Sequence, residues 1–188
     1  MIKKYHVSKN LFNKNSEVLV GSRTTVEILQ TGIRAIIQTA GNNRYCALKL
    51  SNELIEKTIT ISADISESGS NKAQIRLFYT NGNNLTSAIA EITTAGQTGY
   101  ITSTITMPSS IPSDSDGIAI VLSADRGGNG QAGDYVDYAD LMIAEGSTAL
   151  PYEPYDTEVW HTVPYRRYEN GVWVEYNDKK YDGSQWNE

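Results

Sequence analysis

The stretch TITISADI, Thr58–Ile65, decides the fold class of this chain. Its apolar residues occupy every second position, and polar residues occupy the positions between them. Successive side chains of a β-strand point to opposite faces, so this alternation puts every isoleucine on one face. The segment is therefore the clearest strand in the sequence.

Other segments of the chain also form short apolar runs that are separated by turn residues. Ala73–Thr80 alternates in the same way and is followed by NGNN at 81–84, a strong hairpin signal. Other strand-like runs cover residues 24–30, 33–39, 45–50, 87–93, 99–107, 117–124 and 134–144. About nine short strands with turn residues between them, and no amphipathic helix of ordinary length, predict an all-β fold, a jelly-roll β-sandwich, rather than an α/β fold.

Composition and charge exclude several classes of function. The net charge is −6 and the basic residues are scattered, so the chain lacks the basic patch that binds a phosphate backbone, and we expect no nucleic-acid partner. No apolar run approaches the roughly 20 residues that span a bilayer, so we expect no membrane insertion. Cys46 is the single cysteine, which excludes an internal disulfide, and we expect it to be a small buried residue.

The sequence offers no recognisable catalytic motif. It contains no HExxH, GxSxG or GxxxxGK pattern, and His6 and His161 stand isolated. Acidic residues are plentiful, but no pair stands out as the carboxylate pair of a glycoside hydrolase. We therefore expect a protein that is not an enzyme and requires no cofactor.

Aromatic residues next to arginines favour saccharide binding. The chain has 12 Tyr, 3 Trp and 2 Phe, and flat rings suit the apolar face of a pyranose, while planar charged groups bind hydroxyls in pairs. The alternative for each residue singly is a place in the core, at its rim or in an ion pair. The candidates within the sandwich are Arg44, Tyr45, Arg76, Tyr79, Tyr100 and Arg126.

The texture changes after Ala149. The stretch LPYEPYD is rich in Pro and Tyr and favours extended backbone, so we place a boundary between a sandwich over 1–150 and a linker and tail over 151–188. Within the tail, Arg167–Trp173 is echoed by Lys180–Trp186, each with a basic residue, Tyr, a Gly turn and Trp. Each unit predicts a tight hairpin that pairs Tyr with Trp, and such hairpins need a surface to dock on. The alternative is a flexible aromatic tail.

Three stretches resemble a known group of proteins: Asn10-Leu11-Phe12, the segment 134–155, and the Tyr-Gly-Trp tail. LMIAEGSTALPYEPY, 141–155, is similar to the pattern I-x-x-x-Q-L-E-x-G-S-x-A-T-P-Y-E-P-Y of bacteriophage tail and baseplate proteins that carry a jelly-roll module of the carbohydrate-binding type. Met142, Ile143 and Leu150 depart from it modestly. The resemblance implies a virion protein, assembled in the host cytoplasm, whose partners are host cell-wall polysaccharide and other phage tail or baseplate proteins.

Calcium is the one metal that the sequence suggests. In the Gly-rich loop 125–134, Asp125, Asn129 and Asp134 supply oxygen atoms of the kind that Ca²⁺ prefers, although an ordinary solvated loop is the alternative. The resemblance separately implies a structural Ca²⁺ between the first and last strands, at Glu17 and Asp140.

Three functions therefore compete. The leading hypothesis is an accessory module that binds host cell-surface saccharide, with weak sites strengthened by many copies. The second is a structural tail, baseplate or neck component that docks to neighbouring virion proteins without a ligand. A polysaccharide depolymerase ranks last, because the chain has no motif for it.

Overall fold

The computed structural model describes residues 10–155, apart from 40, 42, 43 and 128, and the backbone of six short strands outside that range. The chain forms two compact units, residues 9–155 and residues 1–8 with 156–188. The boundary that the sequence suggests at residue 150 stays a prediction. No helix in the described residues is long and apolar enough to cross a membrane.

The strands, numbered in chain order, include ten in the larger unit. They are β1 (Tyr5–His6), β2 (Val18–Ser22), β3 (Thr24–Ile28), β4 (Ile33–Ile37), β5 (Arg44–Leu50), β6 (Thr58–Glu67), β7 (Gln74–Asn81), β8 (Asn84–Glu91), β9 (Gly99–Thr106), β10 (Gly117–Asp125), β11 (Tyr135–Glu145), β12 (Glu158–Val159), β13 (Tyr165–Glu169), β14 (Val172–Tyr176), β15 (Lys180–Tyr181) and β16 (Trp186–Asn187). A short 3-10 turn, Asn52–Leu54, lies between β5 and β6.

Two five-stranded antiparallel sheets form the larger unit. One has the order β2-β5-β10-β7-β8 and the other β3-β4-β11-β6-β9, and we name them the first and second sheets. Eight of these strands follow the strand order of a jelly roll, with β2 and β3 added at one edge of each sheet. The prediction of an all-β jelly-roll sandwich is confirmed. The sequence pattern missed β2, which precedes the first predicted strand at residues 24–30.

The inner faces of the two sheets form the main core. The isoleucines of Thr58–Ile65 point inward as their alternation predicts, with Ile59 and Ile61 fully buried. The turn between β3 and β4 is closed by a hydrogen bond from Leu29 N to Gly32 O. A Cβ at Gly32 would lie 2.0 Å from Tyr138 O, so only glycine fits this close approach to β11.

The first sheet also has a packed outer face. Ala47, Ala119 and Val121 point away from the main core, yet they are fully buried beneath Leu19, Tyr45, Phe78 and Leu85. The edge strands β2 and β8 come within 8 Å of each other between Cα atoms, although three strands separate them in the sheet. The first sheet therefore curls around this second apolar cluster, and we call its outer side the concave face.

Asn10 fastens the start of the sandwich to its last strand. Its Oδ1 accepts hydrogen bonds from Phe12 N at 3.0 Å and Ile143 N at 3.1 Å. Its Nδ2 donates to Leu141 O at 3.1 Å and Glu153 O at 2.9 Å. One buried amide thus joins the start of the sandwich to β11 and to the segment that follows β11.

The smaller unit contains three antiparallel strand pairs. β1 pairs with β12, β13 with β14, and β15 with β16. The register places Tyr168 opposite Trp173 and Tyr181 opposite Trp186. The predicted Tyr-Trp hairpins are therefore confirmed at the level of the backbone.

Candidate functional site

Polar residues collect at one end of the concave face. The backbone register aligns Tyr45 on β5, Ser123 on β10 and Gln74 on β7 in one row across three neighbouring strands. All three precede or follow loops at the same end of the sandwich, which includes the Gly-rich loop 125–134. We call this region the polar end.

Arg76 lies in the next row. Its partners in register are Val121 on β10 and Glu91 on β8, and its guanidinium lies over the ring of Phe78 at 5.0 Å from the centroid. Burial lowers the pKa of Arg76 below its ordinary value, and the positive charge of Arg126 lowers it further, while Glu91 acts in the opposite direction. Arg76 remains a cation, since an arginine does not lose its proton in proteins. Two guanidinium groups therefore repel each other at the polar end.

Three buried polar atoms of the polar end have no hydrogen-bond partner among the described residues. They are Gln74 Oε1, Arg76 Nε and Ser123 Oγ. Gln74 and Ser123 are almost completely buried, at 3% and 1% exposure. Buried polar groups of native proteins are nearly always paired, so unpaired ones on adjacent strands call for an explanation. They supply an acceptor, a donor and a hydroxyl that can do either.

A buried ion pair shapes the loop beside the polar end. Arg44 binds the carboxylate of Asp125 at 2.5 Å and donates to Gly130 O at 2.5 Å. The same carboxylate accepts Lys72 N at 3.0 Å and Gly130 N at 3.1 Å. A Cβ at Gly130 would lie 2.6 Å from Ile37 Cδ1, so the loop packs down tightly. The ion pair of Arg44 with Asp125 and its hydrogen bonds to Gly130 therefore hold the loop in place, and Arg126 lies directly after Asp125.

The structure brings together three of the six predicted saccharide-binding residues. Tyr45, Arg76 and Arg126 lie at the polar end, where Tyr45 and Arg76 are half-buried and Arg126 is exposed. Arg44 lies below them in the ion pair with Asp125. Tyr79 lies in the main core, where its hydroxyl donates to Ser110 O at 3.3 Å. Tyr100 is 64% exposed on β9 of the second sheet.

The predicted calcium ligands belong to two places, with Asp125, Asn129 and Asp134 in or beside the Gly-rich loop and Glu17 and Asp140 outside it. Glu17 is exposed and lies 3.5 Å from Lys49, and Asp140 has φ of +48° at an irregularity of β11. Asp134 accepts Gln131 N at 2.8 Å, and Asn129 is exposed. Across residues 10–155, as far as they are described, no three His, Cys, Asp or Glu side chains gather as a metal site. Calcium binding stays a prediction.

Gln74, Ser123 and Glu91 escaped the sequence-based selection. Ser123 offers one signal, because it is the one polar side chain inside the otherwise apolar run 117–124. Gln74 and Glu91 stand at polar positions of strands that look ordinary. Their relation to Tyr45 arises from strand pairing, which the local sequence does not encode.

No protein-family model matches this chain, and no curated protein matches it. Among solved structures, one described as "CBM4 structure and function" is similar to it, with 17% sequence identity and a TM-score of 0.45. The similarity covers 67% of this chain and 80% of that chain. At this level the match identifies no ligand and no binding residue.

Proposed function

We propose that this chain is a non-catalytic accessory module of a phage tail or baseplate that binds an acidic saccharide of the host cell surface at the polar end. The phage context rests on the resemblance of residues 10–12 and 141–155 to tail and baseplate proteins. The binding site rests on the arrangement of Tyr45, Arg76 and Arg126 around Gln74 and Ser123. The module requires no cofactor for this role, and its place is the virion.

The observation that carries the proposal is the group of unpaired atoms on β7 and β10. Leaving a buried donor or acceptor unpaired costs about 1–3 kcal/mol, so the fold retains three such atoms at a cost. A saccharide hydroxyl both donates and accepts, and it can pair with Gln74 Oε1 and Ser123 Oγ. The ring of Tyr45, in the same row, suits the apolar face of the sugar.

The two arginines indicate that the ligand is acidic. Arg76 and Arg126 repel each other, and Arg76 is partly removed from water, which strengthens the repulsion. A carboxylate or phosphate between them would relieve this repulsion and accept charge-assisted hydrogen bonds. Glu91 relieves it in part, which keeps the unliganded site stable.

Binding requires a movement of side chains. Gln74 and Ser123 have almost no exposed surface, so a ligand reaches them only when a covering side chain turns away. Arg76 and Arg126 have long flexible stems, and the guanidinium of Arg76 rests on the ring of Phe78, so these two side chains can turn aside. We expect weak binding at each site, since part of the interaction energy is spent on this rearrangement.

Titration of the full chain against purified host wall polysaccharide tests the proposal. We expect saturable, salt-sensitive binding that falls when the carboxylates of the polymer are reduced or its phosphates are removed, and the two treatments identify the source of the charge. Arg76→Gln should weaken binding by about tenfold or more, which corresponds to roughly 1.4 kcal/mol. Tyr45→Ala should weaken it similarly.

Tyr100→Ala is the matched control, because Tyr100 is an exposed tyrosine on the other sheet. It should bind as the unchanged protein does. Equal binding of the acidic polymer and both of its neutralised forms would refute the acidic ligand. No saturable binding by the unchanged protein would refute saccharide recognition altogether.

A purely structural role in the tail, baseplate or neck is the second candidate. The filled centre of the concave face favours it, because Ala47, Ala119 and Val121 leave no open cleft along the middle of the sheet. A chain with that role would dock to neighbouring virion proteins and give no binding in the titration.

A further inference from the structure

β9 forms a sheet edge with which no other described strand pairs. It pairs with β6 on one side and ends the second sheet on the other. Its register against β6 is regular over all eight residues, from Gly99 opposite Ile65 to Thr106 opposite Thr58. Its sequence, GYITSTIT, contains no charged residue and no proline. Natural sheets normally protect such an edge with charges, prolines, bulges or a covering segment.

The other edges of the sandwich show that protection. β2 and β8 are broken by register shifts and approach each other across the concave face. β3 has five residues and carries Glu27, which lies 3.7 Å from Arg34. Among the described edges, β9 alone is long, regular and uncharged.

The groups that β9 offers to a partner follow from its bonds to β6. Met107 N donates to Lys57 O at 2.8 Å, which fixes 57 and 107 as a hydrogen-bonded pair. Hydrogen-bonded and non-hydrogen-bonded pairs alternate in an antiparallel ladder, so residues 101, 103 and 105 direct their backbone groups toward β6. The N–H and C=O groups of Tyr100, Thr102 and Thr104 therefore point to the open edge.

The side chains of this edge are self-complementary. Residues 101–105 read ITSTI, the same in both directions, with Ser103 at the centre. Two antiparallel copies centred on Ser103 place Thr102 opposite Thr104 of the second copy and Ile101 opposite Ile105. Thr102 and Thr104 are the residues with outward backbone groups, so each pair exchanges two hydrogen bonds. Sliding by two residues keeps the hydrogen bonds but places isoleucine against serine.

We propose that β9 pairs with β9 of a second copy of this chain in this register, so that the two second sheets join across a two-fold axis. The threonine contacts inside each chain show the chemistry, since Thr60 and Thr104 are joined at 2.9 Å and Thr58 and Thr106 at 3.2 Å. The absence of charge in β9 lets two copies with a net charge of −6 approach at this edge. The inference is independent of the saccharide site.

The dimer is expected to be weak. A single strand pair buries less than the roughly 1,200 Å² of a standard stable interface. We expect a dissociation constant in the micromolar to millimolar range. In a particle with many copies, a weak symmetric contact is strengthened by the local concentration.

Sedimentation of the full chain over increasing concentration tests the inference with two charge variants. Thr102→Lys with Thr104→Lys puts lysine opposite lysine and should weaken the dimer by about tenfold or more. Thr102→Lys with Thr104→Glu puts lysine opposite glutamate and should restore association. Both variants lose the Thr60–Thr104 contact equally, and the first lowers the negative net charge, so general repulsion predicts the opposite order.

Unfolding midpoints confirm that both variants remain folded, since Thr102 and Thr104 are exposed. A chain that sediments as a monomer up to millimolar concentration overturns the inference. Equal association of the two variants overturns it as well, because the contact would then lie elsewhere.

Discussion

Asn10 and the pair of Gln74 and Ser123 are equally buried but differ in their hydrogen bonds. Asn10 is 2% exposed and its amide makes four hydrogen bonds to the backbone. Gln74 donates to Thr93 O at 3.1 Å, but its Oε1 has no described partner, and neither has Ser123 Oγ. Burial alone therefore does not separate the two regions.

This difference in hydrogen bonding distinguishes a buried polar residue that stabilises the fold from one that is available to a ligand. A buried amide that is fully paired stabilises the fold, and its removal leaves backbone groups unpaired. A buried hydroxyl without a partner lowers stability, and a fold retains it at a cost. We infer that Asn10 is a latch, a residue that holds the start of the sandwich to its last strand, and that Gln74 and Ser123 belong to a binding site.

Asn10→Ala should give the largest loss of stability. The change leaves Phe12 N, Ile143 N and Leu141 O without this partner, and we expect the free energy of unfolding to fall by about 4 kcal/mol. Urea unfolding measures it. Asn13→Ala is the matched control: Asn13 accepts Asn15 N at 2.9 Å in an exposed loop, and its loss should cost less than about 1 kcal/mol. Equal losses would contradict the latch.

The pH dependence of stability tests whether Cys46 is shielded from water in the main core. It is fully buried, and burial raises the pKa of its thiol from 9.0 to about 12. Above pH 9 the unfolded thiol ionises while the folded thiol keeps its proton, so this contribution to stability falls as pH rises through that window. Because the slope approaches about 1.4 kcal/mol per pH unit only above pH 9, the stability difference between the unchanged protein and Cys46→Ala should shift by about 1.6 kcal/mol between roughly pH 9 and 10.5.

Urea unfolding of both proteins at several pH values measures that shift. Ionisable groups away from Cys46 are the same in both proteins and cancel in the difference. Burial is the largest cause that raises the pKa of Tyr138, ahead of its interaction with Cys46, so we expect folded Tyr138 to keep its proton in both proteins. Parallel pH profiles would show that Cys46 is open to water in the folded state.

The sequence predicted the sandwich better than the site. In Thr58–Ile65 the polar and apolar residues alternate without exception, so the sequence alone predicts which face points to the core. β7 alternates as regularly, but large apolar residues lie on both of its faces, with Ile75 and Leu77 in the main core and Phe78 on the concave face. The pattern therefore places Arg76 and Tyr79 on opposite faces without showing which face belongs to the core, and both were candidates.

Long-range pairing explains the rest. Ser123 meets Tyr45 and Gln74 only through the register of β10 with β5 and β7. The curl that brings β2 to β8 encloses small residues such as Ala47 and Ala119 beneath larger ones. Neither the register nor the curl leaves a periodic pattern in the sequence, so the polar end became visible only in the fold.

Ser123→Ala, measured for both stability and affinity, tests the central claim most directly. The change removes a buried hydroxyl without a described partner, so we expect the free energy of unfolding to stay the same or rise by up to about 1 kcal/mol. Binding of acidic wall polysaccharide should weaken severalfold at the same time. A loss of more than about 1 kcal/mol of stability with unchanged affinity would show that the hydroxyl serves the fold, and would contradict a binding site at the polar end.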